Sequence, residues 1–576
     1  SGCGHLSSNA AGGSGNAGNI VVTGKNVIVN GIIESDTYDS TGNAGNIEIN
    51  SDHLTVSKNG LISSDTYDDA NAGNVSISSN TINVLDGGRI TSNAKFHTGN
   101  AGDVSIIGNQ INMAGRIETD TDTDGHAGNI SITAKQLTVS DKGNISSKSN
   151  GIYGSGRGGD VFISSDTLNV LNGGHINSDT TSQGHAGDVV INANTLLIDG
   201  QGKKTGITSD TNDDSSNQAG NAGNITLSAN QLTVVNQGLI SSSTKGAGHA
   251  GNIDITANQI LLNGYADVIN TTGITSDSSN DTLDYAGYAG NISITAQGLS
   301  IQNEAQITSD TYGAGKAGDV NIHANNVSVN GLGHNAWLSS DSLNETSDHA
   351  GNAGNVAITA NKLDINNGGS VSSDTYGSGN AGNILINANA TSVNGQNNTA
   401  EISSSSLNST AEKAGNAGNI AITGKQLDIS NAGKISTTTF GTGNAGIIDI
   451  TDKDRVSLEN NASISSSTSG AGSAGLVTVN APFITLNSAN VSAQASATSQ
   501  GQTGDINIKA SKALVLNNNA NISIKNDASI ANPKTITPTA INVFAPDIDL
   551  KNSQITTEST GNVDAGKINI NFSHWL

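Results

Sequence analysis

Across 576 residues the chain has one cysteine, one methionine, two tryptophans and four prolines. The single thiol, Cys3, excludes an internal disulfide framework, so the fold must rest on burial and backbone pairing whatever the redox state. No apolar run reaches the roughly 18 residues that a membrane-spanning helix requires. Aromatic residues are scarce at 3%, too few for a core built around rings. Cationic residues are scarce too: 25 Lys+Arg face 49 Asp+Glu, a net charge of -24. So acidic a chain repels a phosphate backbone or an anionic lipid surface, so neither nucleic acid nor membrane is an expected partner. No basic-plus-apolar leader opens the chain, as expected of a mature form or a fragment.

What is abundant is repetition. Ala-Gly-Asn-Ile, or a close variant, recurs about eighteen times, its Ala falling at Ala17, Ala44, Ala72, Ala101, Ala127, Ala186 and onward to Ala474 and Ala565. Each copy opens a unit that reads, from Ala44, Ile47-Glu48-Ile49, then Leu54-Thr55-Val56, then Leu61-Ile62-Ser63-Ser64-Asp65-Thr66-Tyr67. Apolar and polar residues alternate within these runs, the period of a half-buried strand. Asn, Gly, Asp and Ser clusters between the runs turn the chain without a hairpin signal. Three short strands per unit that stack on their counterparts describe an all-β, single-stranded parallel β-helix of about 19 coils, a rod of roughly 90 Å at ~4.8 Å per coil. Such a coil needs only about five aliphatic side chains per turn, which accounts for a hydrophobic content of 34%.

The organisation follows the repeat spacing. Residues 1–14 form an N-terminal segment, and 15–185 carry regular coils 26 to 31 residues long. From 186 to 474 long and short coils alternate, as in 36 then 28 residues, with insertions before the third strand and after the Ser-Asp-Thr turn. Their repeated placement predicts a ridge of side loops, and loops on a rigid scaffold are where binding residues concentrate. Tyr265, His334, Trp337, Lys203 and Lys204 are the candidate contact residues on that ridge. Residues 475–576 contain all four prolines and read as divergent terminal coils and a cap.

Stacked coils turn each repeat position into a column. Asn46, Asn74, Asn129, Asn224, Asn252 and Asn291 form one, expected to exchange side-chain amide bonds from coil to coil. Asp36, Asp65, Asp120, Asp179, Asp210, Asp277, Asp310, Asp341 and Asp374 form another, in which like charges one strand apart repel by ~1 to 4 kcal/mol. Either each Asp accepts backbone N–H groups in its own turn under the screening of water, or a hard cation such as Ca²⁺ bridges neighbours. Tyr38, Tyr67, Tyr312, Tyr376 and Phe440 follow that column and are expected to pack over the corner or to stack on sugar. His126, His185 and His249 lie too far apart to share one metal ion and read as exposed turn residues. Carboxylates spread evenly by the repeat, with four arginines in all, do not form the clustered acid and base that a polysaccharide-cleaving β-helix needs. No enzyme and no cofactor other than Ca²⁺ is expected.

The recurring Gly-Asn-Ala-Gly-Asn-Ile, the following Gln-Leu-Thr-Val or Lys-Leu-Asp-Ile, and Ile-Ser-Ser-Asp-Thr-Tyr-Gly resemble the repeat region of filamentous haemagglutinin-type exoproteins over residues 15–475. The resemblance implies a right-handed coil and export through an outer-membrane partner of a Gram-negative bacterium. It also implies an extracellular or cell-surface location and a role in adhesion or aggregation, toward a neighbouring cell, a carbohydrate or another protein. A self-assembling fibre or sheath subunit stacking end to end is the alternative. The family's amino-terminal secretion motifs are not visible in the sequence.

Overall fold

A computed structural model describes residues 4–96, 98–122, 124–151, 154–181, 183–212, 219–265, 272–279, 286–344, 350–408, 414–530, 533 and 538–575. It is an all-β, parallel solenoid, and the described residues include no α-helix. The chain divides near residue 293 into two compact units.

In the first unit each coil contributes one long strand and one short one. Ile47–Val56 is followed by Leu61–Ser63, and Val75–Val84 by Arg89–Thr91. The two expected strands of the Ile-x-Ile and Leu-x-Val runs are one continuous strand, whose pairing skips Asp52. In Val75–Val84 the inward alternation of Val75 and Ile77 slips by one at Asn80 and Thr81 and resumes at Ile82 and Val84. Parallel pairing joins Ile47 to Val75, Ile49 to Ile77, Leu54 to Ile82 and Val56 to Val84, so each aliphatic side chain sits on another. Ile49, Leu54, Val56 and Ile62 are fully buried. A third parallel contact passes through single residues, Thr37 to Thr66 to Ala94 to Thr121.

The second unit repeats this plan with the long strands Val320–Asn330, Val356–Asn366, Ile384–Asn394 and Ile420–Ser430. Its short strands are Ala336–Ser339, Gly369–Ser372, Glu401–Ser403 and Lys434–Thr439. The corner after each long strand is made by a residue with positive φ, such as Asn367 at 44° or Asn431 at 48°, a backbone state that Asn tolerates well.

The motif glycine is fixed by how closely coils approach. A Cβ on Gly45 would lie 2.5 Å from the Gly18 carbonyl oxygen and 2.6 Å from Ser35 Oγ. The serine is as tightly held: fully buried Ser64 donates to Gly45 O at 2.7 Å and accepts from Gly73 N–H at 3.0 Å. Ser209 and Ser242 in the first unit and Ser340 and Ser373 in the second repeat this bridge. One hydroxyl thereby satisfies a buried backbone acceptor in one coil and a donor in the next.

Candidate functional site

The Asn column exists, held chiefly by a bond other than the one expected. Each side-chain oxygen accepts the backbone N–H of its counterpart one coil on. Asn46 N–H donates to Asn19 Oδ1 at 2.8 Å, Asn74 N–H to Asn46 Oδ1 at 2.8 Å, and Asp160 N–H to Asn129 Oδ1 at 2.9 Å. Asn252 and Asn291 continue it, donating to Asn224 and Asn252, each at 2.9 Å. Only an acceptor is required, which is why Asp103, Asp160 and Asp188 fit the column as well as Asn does. The expected amide-to-amide bond also occurs in this column, from Asn383 Nδ2 to Asn355 Oδ1 at 3.3 Å, and in others, as from Asn112 Nδ2 to Asn83 Oδ1 at 2.8 Å. The exposed histidines use the same device: Nδ1 of His126, His185 and His249 accepts from Arg157, Asn221 and Tyr288 N–H at 3.1, 2.9 and 3.0 Å.

The Asp column departs further from expectation. Each carboxylate accepts the N–H of the following coil, not of its own turn: Asp65 N–H to Asp36 Oδ1 at 2.7 Å, Asp210 N–H to Asp179 Oδ1 at 3.0 Å, Asp374 N–H to Asp341 Oδ1 at 2.7 Å. A hydroxyl from the next short strand adds a second bond, as from Ser63 to Asp36 at 2.8 Å, Ser241 to Asp210 at 2.7 Å and Ser339 to Asp310 at 3.1 Å. At Asp277 the column runs through a serine, Asp277 N–H donating to Ser243 Oγ at 3.1 Å. Asp36 and Asp65 are each only 1% exposed, so water does not screen them. Burial, then the neighbouring Asp65, raises Asp36 to about 6, and burial alone leads the rise of Asp120 to about 6. Burial and the adjacent carboxylate likewise drive Asp210, Asp341 and Asp374 upward. Lysines relieve part of the charge, Lys95 Nζ lying 2.5 Å from Asp65 and Lys148 Nζ 3.3 Å from Asp179. Among the described residues no three His, Cys, Asp or Glu side chains are gathered as a metal-holding group.

Outward-facing rows of the short-strand sheet line one groove in each unit. That of the first unit, about 660 Å³, is bordered by Arg116, Lys142, Lys148, His175 and Lys204, with Asp179 and Asp210 beside them. Lys203 and Lys204 are exposed in the turn that precedes Thr205. At the start of this unit Tyr38 stacks on Tyr67 with ring centroids 4.6 Å apart, and Lys95 lies 4.6 Å over the Tyr67 ring. Those rings do pack from coil to coil, as one of the two expectations had it.

The groove of the second unit, about 460 Å³, has Trp337, Glu401 and Lys434 along one side, Tyr376, Leu407 and Phe440 along the other, and Asp341, Asp374, Ser403, Ser405, Ser436 and Thr438 at its floor. Trp337 is not on an insertion. It occupies the short strand Ala336–Ser339, in register with Gln306 and Ser370, and is half-buried. His334 belongs to the preceding turn, its Nδ1 3.8 Å from Glu304 Oε1. Tyr265 is 58% exposed in the turn after Ile253–Asn263. The insertions at 213–218, 266–271, 280–285, 345–349 and 409–413 lie outside the described residues, and with them most of the expected ridge. Glu401 and Lys434 went unread in the sequence, yet both stand in the strand position that Trp337 holds.

No protein-family model matches the chain. A search of curated proteins returns no match either.

Proposed function

We propose that the chain is a structural and adhesive protein that acts outside the cell and holds a partner against the side of its solenoid. The observation that carries this reading is that the polar columns are spent on joining coils: Asn, Asp, Ser and His side chains bond the backbone of the next coil, repeat after repeat. The same residues that would serve chemistry in an enzyme here serve the wall, and the reading is therefore of a protein that binds without turnover. The resemblance to filamentous haemagglutinin-type repeats supports the same role, and with it a right-handed winding and export through an outer-membrane partner.

The Asp column is read as satisfied by backbone, hydroxyl, lysine and retained protons, so that Ca²⁺ is not required. The test of the main reading is attachment: beads coated with the purified chain should adhere to bacterial or host-cell surfaces, and uncoated or albumin-coated beads should not. Equal attachment of coated and control beads would reject it.

A second reading, a fibre subunit, is favoured by one observation. Phe544 and Ile568, 49% and 41% exposed, line with Val543 and Ile570 an outward hollow of about 530 Å³, an apolar face able to seat a second copy. Electron microscopy across a concentration series separates the two, since filaments that lengthen with concentration support the fibre and discrete particles at every concentration reject it.

A further inference from the structure

The groove of the second unit combines three features that recur wherever proteins bind sugars. It has aromatic faces, hydroxyl and carboxylate groups between them, and length. The chain has 2 Trp, 8 Tyr and 6 Phe, and three of these sixteen rings border this one depression. Phe440 is 41% exposed, although nothing in the solenoid's own stacking calls for a ring outside the wall.

The rows explain the arrangement. Pairing carries Trp337 to Ser370, Glu401, Lys434 and Ser463 in successive coils along one wall. Tyr376, Leu407 and Phe440 follow one another along the other, each N–H donating to the coil before at 2.8, 2.7 and 2.9 Å. Between them run Ser372, Ser403, Ser436 and Ser465, joined by Asp341, Asp374, Ser405 and Thr438. From the coil of Trp337 to that of Ser463 the groove is roughly 19 Å long, four steps of ~4.8 Å.

We propose that this groove binds a neutral polysaccharide lying along the stack of coils, with pyranose rings resting on Trp337 and on Tyr376 and Phe440. The axial C–H face of a pyranose is apolar and matches an indole or phenyl face, while its equatorial hydroxyls both donate and accept. Ser370, Glu401, Lys434 and Ser463, part-exposed or exposed at coil spacing along one wall, offer donors and acceptors to meet them. Lys434, the one cation among the described residues that line the groove, is in register with Glu401, so the groove has no cationic excess to favour a polyanion. This proposal rests on the adhesive reading and names the ligand class for one of its surfaces.

The test uses the full chain carrying Trp575→Phe, which leaves Trp337 as its one indole. Its emission is followed while cellohexaose, maltohexaose, mannohexaose, chitohexaose and hexagalacturonate are each titrated in. The expected result is a saturable blue shift with at least one neutral hexaose and none with hexagalacturonate. Phe440→Ala should weaken that binding about tenfold and Tyr376→Ala about as much, the value of a ring contact. In the tryptophan-bearing chain, calorimetry should find the same loss for Trp337→Ala, with circular dichroism unchanged.

No binding by any neutral hexaose at millimolar concentration overturns the proposal, as does tighter binding of hexagalacturonate or indifference to both ring removals. Bead attachment separates this failure from failure of the adhesive reading. Attachment that survives Trp337→Ala, with no hexaose bound, removes the groove proposal alone, whereas hexaose binding without attachment removes the adhesive role alone.

Discussion

Replacing Asp120 by Asn should remove a pH-dependent weakness from the first unit. Asp120 Oδ1 accepts the Lys148 N–H at 2.8 Å and the Ser146 hydroxyl at 2.8 Å, and burial raises its carboxyl from 3.8 to about 6. Both bonds need only an oxygen, which Asn retains. The column already contains the substitution: Asn93 Oδ1 accepts the Asp120 N–H at 2.8 Å. A carboxyl whose pKa is higher folded than unfolded binds more protons in the folded state between those two values. Its contribution is therefore fully present below about 4 and is lost as pH rises through about 6. A shift of about two units corresponds to ~3 kcal/mol, lost by the wild-type coil at pH 8 and not by the variant.

Solenoids open locally, so a single melting temperature would dilute this effect over the whole array. Hydrogen exchange read by mass spectrometry on peptides containing Lys148 isolates it. After correction for intrinsic exchange, wild-type protection there should fall roughly a hundredfold between pH 4 and pH 8, and Asp120→Asn should abolish most of that fall. A fall of equal size in both proteins would refute the argument, because the charge of Asp120 would then not be its source. So would a variant less protected than wild type at both pH values, which would mean that the carboxylate is held by something an amide cannot replace.

Further outcomes follow from the same geometry. Gly128→Ala should disrupt its coil, since the new Cβ would lie 2.0 Å from the Gly102 carbonyl oxygen, and proteolysis should then cut near that site first. Ser209→Ala leaves Gly187 O and Gly223 N–H without their shared hydroxyl and should cost ~1 to 3 kcal/mol in local exchange, and Ser209→Thr should recover only part of it, since Thr119 and Thr437 in that position donate to the following glycine of their own coil. His249→Asn should leave the protection of the Tyr288 amide unchanged and His249→Leu should reduce it, because Nδ1 serves there only as an acceptor. Removing divalent cations with a chelator should not shift thermal unfolding of the whole chain, and a drop of several degrees would return Ca²⁺ to the Asp column.

The solenoid was legible because its two signals are local. Alternation within Ile47-Glu48-Ile49 and Leu54-Thr55-Val56 gives inward faces, and the repeat of Ala-Gly-Asn-Ile gives the stacking. The slip that joins those two runs in one strand was not legible, since it falls at polar positions such as Asn80 and Thr81, where either face suits the side chain. Burial of the Asp column was hidden for a related reason. An aspartate after two serines reads as a turn residue, and only the N–H and hydroxyl of the next coil stacked on it take it away from water. Trp337 was misassigned to an insertion because extra residues precede it. Aligning Leu338 with Ile307 and Val371, which face inward in the flanking coils, would have returned it to the strand.

The chain's acidity follows from its bonding. A column that needs an oxygen facing the next coil's N–H accepts Asn and Asp alike, and His or Ser where space allows, so selection for the fold does not choose between a neutral and a charged acceptor. No column calls for a cation in the same way. Lysines enter as partners of particular carboxylates, as Lys95 does for Asp65 and Lys148 for Asp179. Net negative charge thus accumulates with coil number and is checked where carboxylates are buried against one another, as at Asp341 and Asp374, whose raised pKa values record the limit. A cationic cluster on such a chain, like Arg116, Lys142, Lys148 and Lys204 around one groove, is then the departure that the repeat does not explain, and an aromatic row like that of Trp337, Tyr376 and Phe440 is another. Residues that the coil does not need are where a function beyond the coil has to be sought.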